Sequence, residues 1–335
     1  MSANGSKPLL EVEGLVVRYP VPRGMVGTLA RRPRKSVHAV DGVSFSLRPG
    51  EILALVGESG CGKTTTAQTL LRLVEPEAGA IRFEGRDLSG LSTRELRPLR
   101  RRMQLIYQDP YESLDPRLRV RQTVEEPLLV HRVAGSRRER AERVREALER
   151  VEMQPAELFL DRFPHELSGG QRQRVAIAAS LVLEPRLLVA DEPVSMLDVS
   201  VRAGILRLLD GLREGGLGIL MITHDLSTAA RFSDRIAVMY LGRIVEEGPS
   251  REVVHNPQHP YTKALLSVVP KRDPRDRMRP QILRGEPPDA VRVPSGCRFH
   301  PRCPIAIDIC QSKDPPLERP KAAETPDHTA ACLLA

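Results

Sequence analysis

Residues 57 to 65, Gly57-Glu58-Ser59-Gly60-Cys61-Gly62-Lys63-Thr64-Thr65, fit the pattern G-x-x-x-x-G-K-[ST] without a mismatch. No other stretch narrows the fold so far, because such a loop works only between a buried strand and the start of a helix. The flanks supply both. Ile52-Leu53-Ala54-Leu55-Val56 is an apolar run of strand length, and Ala67, Leu70, Leu71 and Val74 recur at i, i+3, i+4 and i+7 of a helix. Glycines let the backbone curl until successive N–H groups face a phosphate at the positive end of that helix. Lys63 is expected to reach the β- and γ-phosphates of a nucleoside triphosphate, and the Thr64 hydroxyl to take one position on Mg²⁺.

Further along, apolar strands repeatedly end in a polar side chain. Met103 to Ile106 leads to Tyr107-Gln108-Asp109-Pro110, Leu187 to Ala190 to Asp191-Glu192-Pro193, and Gly218 to Ile222 to Thr223-His224-Asp225. In open parallel sheets, ligands sit at such strand ends. Asp191 suits a Mg²⁺ partner, and Glu192 beside it is the candidate general base for an attacking water. Between these strands, Ser168, Gly169, Gly170 and Gln171 open a helix with Val175, Ala178, Ala179 and Val182 on its apolar face. A serine and two glycines there leave backbone N–H groups free at the helix's positive end, a second place for an anion.

The earlier chain reads as strands. Residues 9 to 19 form two short runs broken at Glu13-Gly14 and ending at Tyr19, and 37 to 47 form another with a turn at Asp41-Gly42. Residues 21 to 36 carry five basic and no acidic side chains among Pro22, Gly24, Gly27 and Pro33, the composition of a loop, either solvated or in contact with lipid head groups or an acidic partner. Val144, Ala147, Leu148 and Val151 mark one face of a charged surface helix within a mostly helical stretch from about 100 to 165.

At 335 residues the chain has room for a full α/β core and a smaller second unit. Its longest apolar runs fall far below the ~20 residues of a membrane-spanning helix. The polar start, MSANGSKP, does not read as a signal peptide, so the cytoplasm is the expected compartment. A net charge of +8 calls for an anionic neighbour without choosing among nucleic acid, lipid head groups and nucleotide. In a reducing compartment the five cysteines read as packing, metal or redox residues, not disulfides.

Together these motifs, with LSGGQ at 167 to 171, resemble the nucleotide-binding subunit of an ABC transporter over residues 9 to about 250. The resemblance implies an α/β phosphate-loop NTPase core with an N-terminal β subdomain and a helical subdomain at about 100–165, all within an ATPase domain at 1–250. It places Tyr19 on adenine and Gly57, Ser59, Gly60, Cys61, Gly62, Lys63, Thr64 and Thr65 around the phosphates. It gives Mg²⁺ to Thr64, Gln108 and Asp191, water activation to Glu192 and the γ-phosphate to His224, with Lys63 and Gln108 also catalytic. Ser168, Gly169, Gly170 and Gln171 close over the ATP of an opposite subunit, so one chain holds two half-sites. Met196 departs from the small residue usual after Glu192.

Residues 251–335 form a Pro-rich C-terminal extension, and its segments 256–262 and 296–304 resemble those of dipeptide and oligopeptide importers, as do Glu58-Ser59-Gly60-Cys61 and Tyr107-Gln108-Asp109-Pro110. The implied activity is ATP hydrolysis driving peptide import. The implied partners are a second ATPase subunit, more often a paralogue than an identical copy, two transmembrane permease subunits and an extracytoplasmic peptide-binding protein, with no nucleic acid. The place is the cytoplasmic side of the inner membrane. Nickel or another small solute is the alternative cargo; an exporter and a soluble non-transport ATPase are more distant readings. Cys297, Cys303, Cys310 and Cys332 suit Zn²⁺, a [4Fe–4S] cluster or buried reduced thiols; the wide gaps and Cys303-Pro304 lean towards iron–sulfur, which some peptide-importer ATPase subunits carry here.

Overall fold

The computed structural model describes residues 7–22, 35–109, 113–269, 283 and 285–335. Most of the basic loop expected at 21–36 lies outside the described residues. The chain divides into two compact units. One is built from Leu47–Ile52 and Phe83–Ile222 with the chain up to Leu10, the other from Glu11–Ser46, Leu53–Arg82 and Thr223–Ala335.

The first unit is centred on three parallel strands, β6 (Met103–Ile106), β7 (Leu187–Asp191) and β8 (Gly218–Thr223). The middle strand β7 pairs with β6 from Met103↔Leu187 to Ile106↔Ala190 and with β8 from Leu187↔Gly218 to Asp191↔Ile222. Every residue of β7 and β8 is buried, which explains why these strands read as unbroken apolar runs instead of alternating ones.

Helices supply the rest of this unit. Numbered along the chain after α1 (Lys63–Leu70) of the other unit, they are α2 (Thr93–Arg100), α3 (Val120–Val130), α4 (Arg137–Arg150), α5 (Glu157–Leu160), α6 (Gly169–Leu181) and α7 (Val199–Glu214). Helices α3, α4 and α6 pack on one another. Val124 and Leu128, Val144 and Leu148, and Ile177 and Ala178 are buried there, each of the larger side chains contributing about 1.5–3 kcal/mol. Ser92 with Glu95 and Ser168 with Gln171 form capping boxes that start α2 and α6.

In the second unit β3 (Ile52–Val56) lies parallel to β9 (Arg235–Tyr240), β10 (Arg243–Pro249) runs antiparallel to β9, and β11 (Thr329–Ala330) adds antiparallel to β10. A separate sheet has the order β2 (Ser36–Leu47), β1 (Leu10–Pro20), β4 (Ala78–Phe83), with the short β5 (Arg86–Asp87) following along the chain. The breaks expected at Glu13-Gly14 and Asp41-Gly42 are absent. Gly14 and Gly42 take φ of +57° and +83°, which lets each strand run on through a local kink. Helix α1 stops at Leu70, so Val74 lies beyond it.

The C-terminal part carries α8 (Leu226–Phe232), α9 (Ser250–His255), α10 (Pro260–Ser267) and a 3₁₀ turn at Asp308–Gln311. It has its own small core. Tyr261, 0% exposed, packs its ring tilted against those of Tyr240 and Phe299, with ring centroids 4.7 and 5.5 Å away. His328 lies buried between Glu246, 2.8 Å from its Nε2, and Glu252, 3.0 Å from its Nδ1. Burial works against a charged imidazole, but the two carboxylates outweigh it and raise the His328 pKa.

Candidate functional site

Strand β3 delivers the phosphate loop, and the loop's geometry accounts for its glycines. A Cβ on Gly57 would stand 2.2 Å from the carbonyl oxygen of Met239, and one on Gly62, where φ is +108°, would stand 2.0 Å from that of Ala39. Only glycine fits at either point. Lys63 opens α1 almost wholly buried, and its ammonium donates to the carbonyl oxygens of Gly57 at 2.8 Å and Glu58 at 3.0 Å. The lysine is thus folded over its own loop, held to the first two peptides. Ser59, Gly60 and Thr64 are exposed, and Thr65 is half-buried. Cys61 is buried, which pushes its thiol pKa up despite the nearby Lys63.

Tyr19 is 40% exposed at the end of β1 in the same unit. His224 is exposed just beyond β8. After it, Asp225 accepts hydrogen bonds from the Ser227 N–H at 2.9 Å and the Thr228 hydroxyl at 2.6 Å, and so caps α8. Burial alone would raise the Asp225 pKa; these hydrogen bonds hold it below the usual carboxylate value.

In the first unit, parallel pairing of β6 and β7 brings their C-terminal ends together, and the side chains that follow meet. Gln108 Nε2 donates to Glu192 Oε2 at 3.0 Å. Asp191, the last residue of β7, is 5% exposed. Glu192 has φ of +46°, unusual for a non-glycine residue, and its N–H donates to the Ile222 carbonyl at 2.9 Å. Its own carbonyl accepts from the Ser195 hydroxyl at 3.1 Å. A glutamate whose backbone is held on both sides in a left-handed conformation, with an amide hydrogen-bonded to its carboxylate oxygen, is an arrangement suited to orienting a proton acceptor. Met196 is 59% exposed close by.

Ser168 Oγ accepts from the Gln171 N–H at 3.3 Å while Gln171 Oε1 accepts from the Ser168 N–H at 3.0 Å. The capping box therefore shapes the LSGGQ segment at the start of α6. Gly169 is half-buried, and Gly170 lies so close to α7 that an added Cβ would come within 2.3 Å of Val201 Cγ1.

The sulfurs of Cys297, Cys303, Cys310 and Cys332 are near enough to act on one another. Burial, with the other three sulfurs adding to it, pushes the Cys297 thiol up to about 11, and the Cys303 thiol is raised for the same reasons. The metal centre expected there has no preformed ligand set. Among the described residues no group of three or more His, Cys, Asp or Glu side chains is arranged to hold a metal ion.

Two family models match the chain, one for ABC transporters at residues 40–195 and one for the oligopeptide/dipeptide transporter C-terminal region at residues 245–310. A peptide import ATP-binding protein of Brucella ovis is 47% identical over 327 residues, covering 97% of this chain and 98% of that protein. The chain belongs to the ATP-binding subunits of ABC transporters. The oligopeptide transport ATP-binding protein AppF of Bacillus subtilis is 45% identical over 338 residues, covering 100% of this chain and 99% of its own length. Among solved structures, the dimeric post-hydrolysis state of the ATP-binding cassette MJ0796, bound to ADP and Pi, is similar with a TM-score of 0.62 at 30% identity, covering 72% of this chain and 99% of that one.

Not every contact of this ABC subunit was visible in its motifs. Tyr261 and Arg302 of the C-terminal extension both reach Glu58 in the phosphate loop. Their sequence separations, 203 and 244 residues, leave no local pattern to read.

Proposed function

We propose that this chain is the ATP-hydrolysing subunit that powers import of di- or oligopeptides through an ABC transporter. The observation that carries the reading is the succession on one chain of an ABC transporter match and an oligopeptide/dipeptide transporter C-terminal match. In this reading Tyr19 stacks on adenine and residues Gly57 to Thr65 cradle the phosphates, with Lys63 reaching the β- and γ-oxygens. The Thr64 hydroxyl and the Asp191 carboxylate are hard oxygen donors of the kind Mg²⁺ takes, and Gln108 senses the same ion. Bound Mg²⁺ neutralises charge on the phosphates. Glu192 accepts the proton of the attacking water, Gln108 orients that carboxylate, and His224 contacts the γ-phosphate.

Ser168, Gly169, Gly170 and Gln171 then serve the nucleotide of a second ATPase subunit, so that ATP joins the pair and hydrolysis parts it. Two permease subunits in the membrane and an extracytoplasmic peptide-binding protein complete the complex, with this chain peripheral on the cytoplasmic face. Among the described residues no helix is long and apolar enough to cross a membrane. Affinity isolation of the intact complex with its binding protein tests the substrate. The reading requires bound peptide; a metal chelate or another small solute in its place refutes it.

A second proposal concerns the extension. The wide spacing of Cys297, Cys303, Cys310 and Cys332 and the Cys303-Pro304 pair favour a [4Fe–4S] cluster over zinc, and the other three sulfurs all act on the Cys297 thiol. Its role would be to tie down the Pro-rich tail. Protein purified anaerobically from cells able to assemble clusters should carry about four irons per chain. Colourless, iron-free protein refutes it.

A further inference from the structure

Glu58, the second residue of the phosphate loop, is held at three points. Its N–H donates to Tyr261 Oη at 2.9 Å, and its carboxylate takes both Nη atoms of Arg302, at 2.8 and 3.2 Å. Its carbonyl accepts from Lys63 Nζ at 3.0 Å. Two of the three partners therefore come from the C-terminal extension, and both are themselves fixed. Tyr261 is fully buried against Tyr240 and Phe299. Arg302 is 8% exposed, with its guanidinium 5.9 Å from the centre of the Tyr240 ring.

A guanidinium fork on a carboxylate fixes direction as well as distance. Lys63 rests on the carbonyls of Gly57 and Glu58, so the orientation of those two peptides determines where its ammonium lies. Gly57 cannot adjust, since it is packed directly against the Met239 carbonyl. Glu58, by contrast, occupies a position where the loop pattern leaves the side chain unspecified. Two tail residues converge on that one position.

We propose that Tyr261 and Arg302 are positioning residues for nucleotide binding. They hold Glu58 by its N–H and its carboxylate, set the first peptides of the phosphate loop, and so preset the Lys63 ammonium for the β- and γ-phosphates. The C-terminal extension is then part of the nucleotide site's framework. The inference rests on the ATPase reading above.

The test uses the full-length chain for ATP Kd and thermal midpoint, and the assembled transporter for KM and kcat. Tyr261→Phe deletes one hydroxyl and keeps the ring packing; Arg302→Gln and Glu58→Gln each break the fork. Tyr261→Phe and Arg302→Gln should each raise Kd and KM for ATP about 3- to 10-fold with kcat little changed. Arg302→Gln combined with Glu58→Gln should be no worse than the more severe single variant, because both remove the same contact. Should Arg302→Gln fail to fold, Tyr261→Phe decides alone. A folded Tyr261→Phe that binds ATP like the parent, or fork variants whose effects multiply, overturns the proposal. Lys63→Ala separates this from failure of the underlying reading: a parent that binds ATP no better than Lys63→Ala refutes ATP binding at this loop, and the clamp with it.

Discussion

Replacing Glu192 by Gln isolates one property of this side chain, its capacity to accept a proton. The two residues are the same length. The backbone at this position can keep the φ near +46° and the N–H bond to Ile222 at 2.9 Å, so strain and strand pairing should be little altered. The amide oxygen of the variant can still accept from Gln108 Nε2, which lies 3.0 Å from the present carboxylate. What disappears is basicity, and a positioned general base contributes roughly 10²- to 10⁴-fold to rate. At about 1.4 kcal/mol per tenfold, that is ~3–5 kcal/mol of transition-state stabilisation. In the assembled transporter at saturating ATP, kcat should fall by at least about a hundredfold while ATP Kd changes by less than ~3-fold. ATPase activity within a few-fold of the parent would refute the assignment of Glu192 as the base.

Gly170→Ala should destabilise the first unit by about 1–3 kcal/mol in chemical denaturation, because its Cβ would meet Val201 Cγ1 at 2.3 Å; adding Val201→Ala should recover most of the loss. The raised pKa of His328 means that its charged form stabilises the fold. Its contribution is fully present below the free-imidazole value of 6.5 and fades as pH rises through the higher folded value. The stability advantage of the parent over His328→Gln should therefore shrink on the alkaline side; a constant difference would contradict the buried ion pairs. Burial raises the Cys61 thiol pKa, so iodoacetamide at neutral pH should label Cys61 only after denaturation, as read by mass spectrometry.

The parts of the fold that were legible in the sequence are those whose cause is local. An unbroken apolar run such as 52–56, 187–190 or 219–222 must be buried on both faces, and a glycine pattern such as 57–62 has few other reasons to exist. The strand-end residues Gln108 and Glu192 could be foreseen to lie near one another, because parallel strands carry their ends to the same side. The break expected at Gly14 and the turn expected at Gly42 do not form, because a glycine with positive φ can kink a strand without ending it. The buried Glu246–His328–Glu252 group and the grip of Tyr261 and Arg302 on Glu58 had no sequence signal. They join positions 76 to 244 residues apart, and charged residues in a Pro-rich tail look like solvated ones until their partners are placed.

ATP turnover by this chain drives peptide across a membrane. The most direct measurement is uptake of a labelled oligopeptide into proteoliposomes holding the complete transporter with its binding protein, with ATP supplied on the face that carries this subunit. The expected result is ATP-dependent accumulation of intact peptide that is lost with Glu192→Gln. Accumulation that persists in that variant, or ATP hydrolysis that rises with another solute and not with peptide, would contradict it.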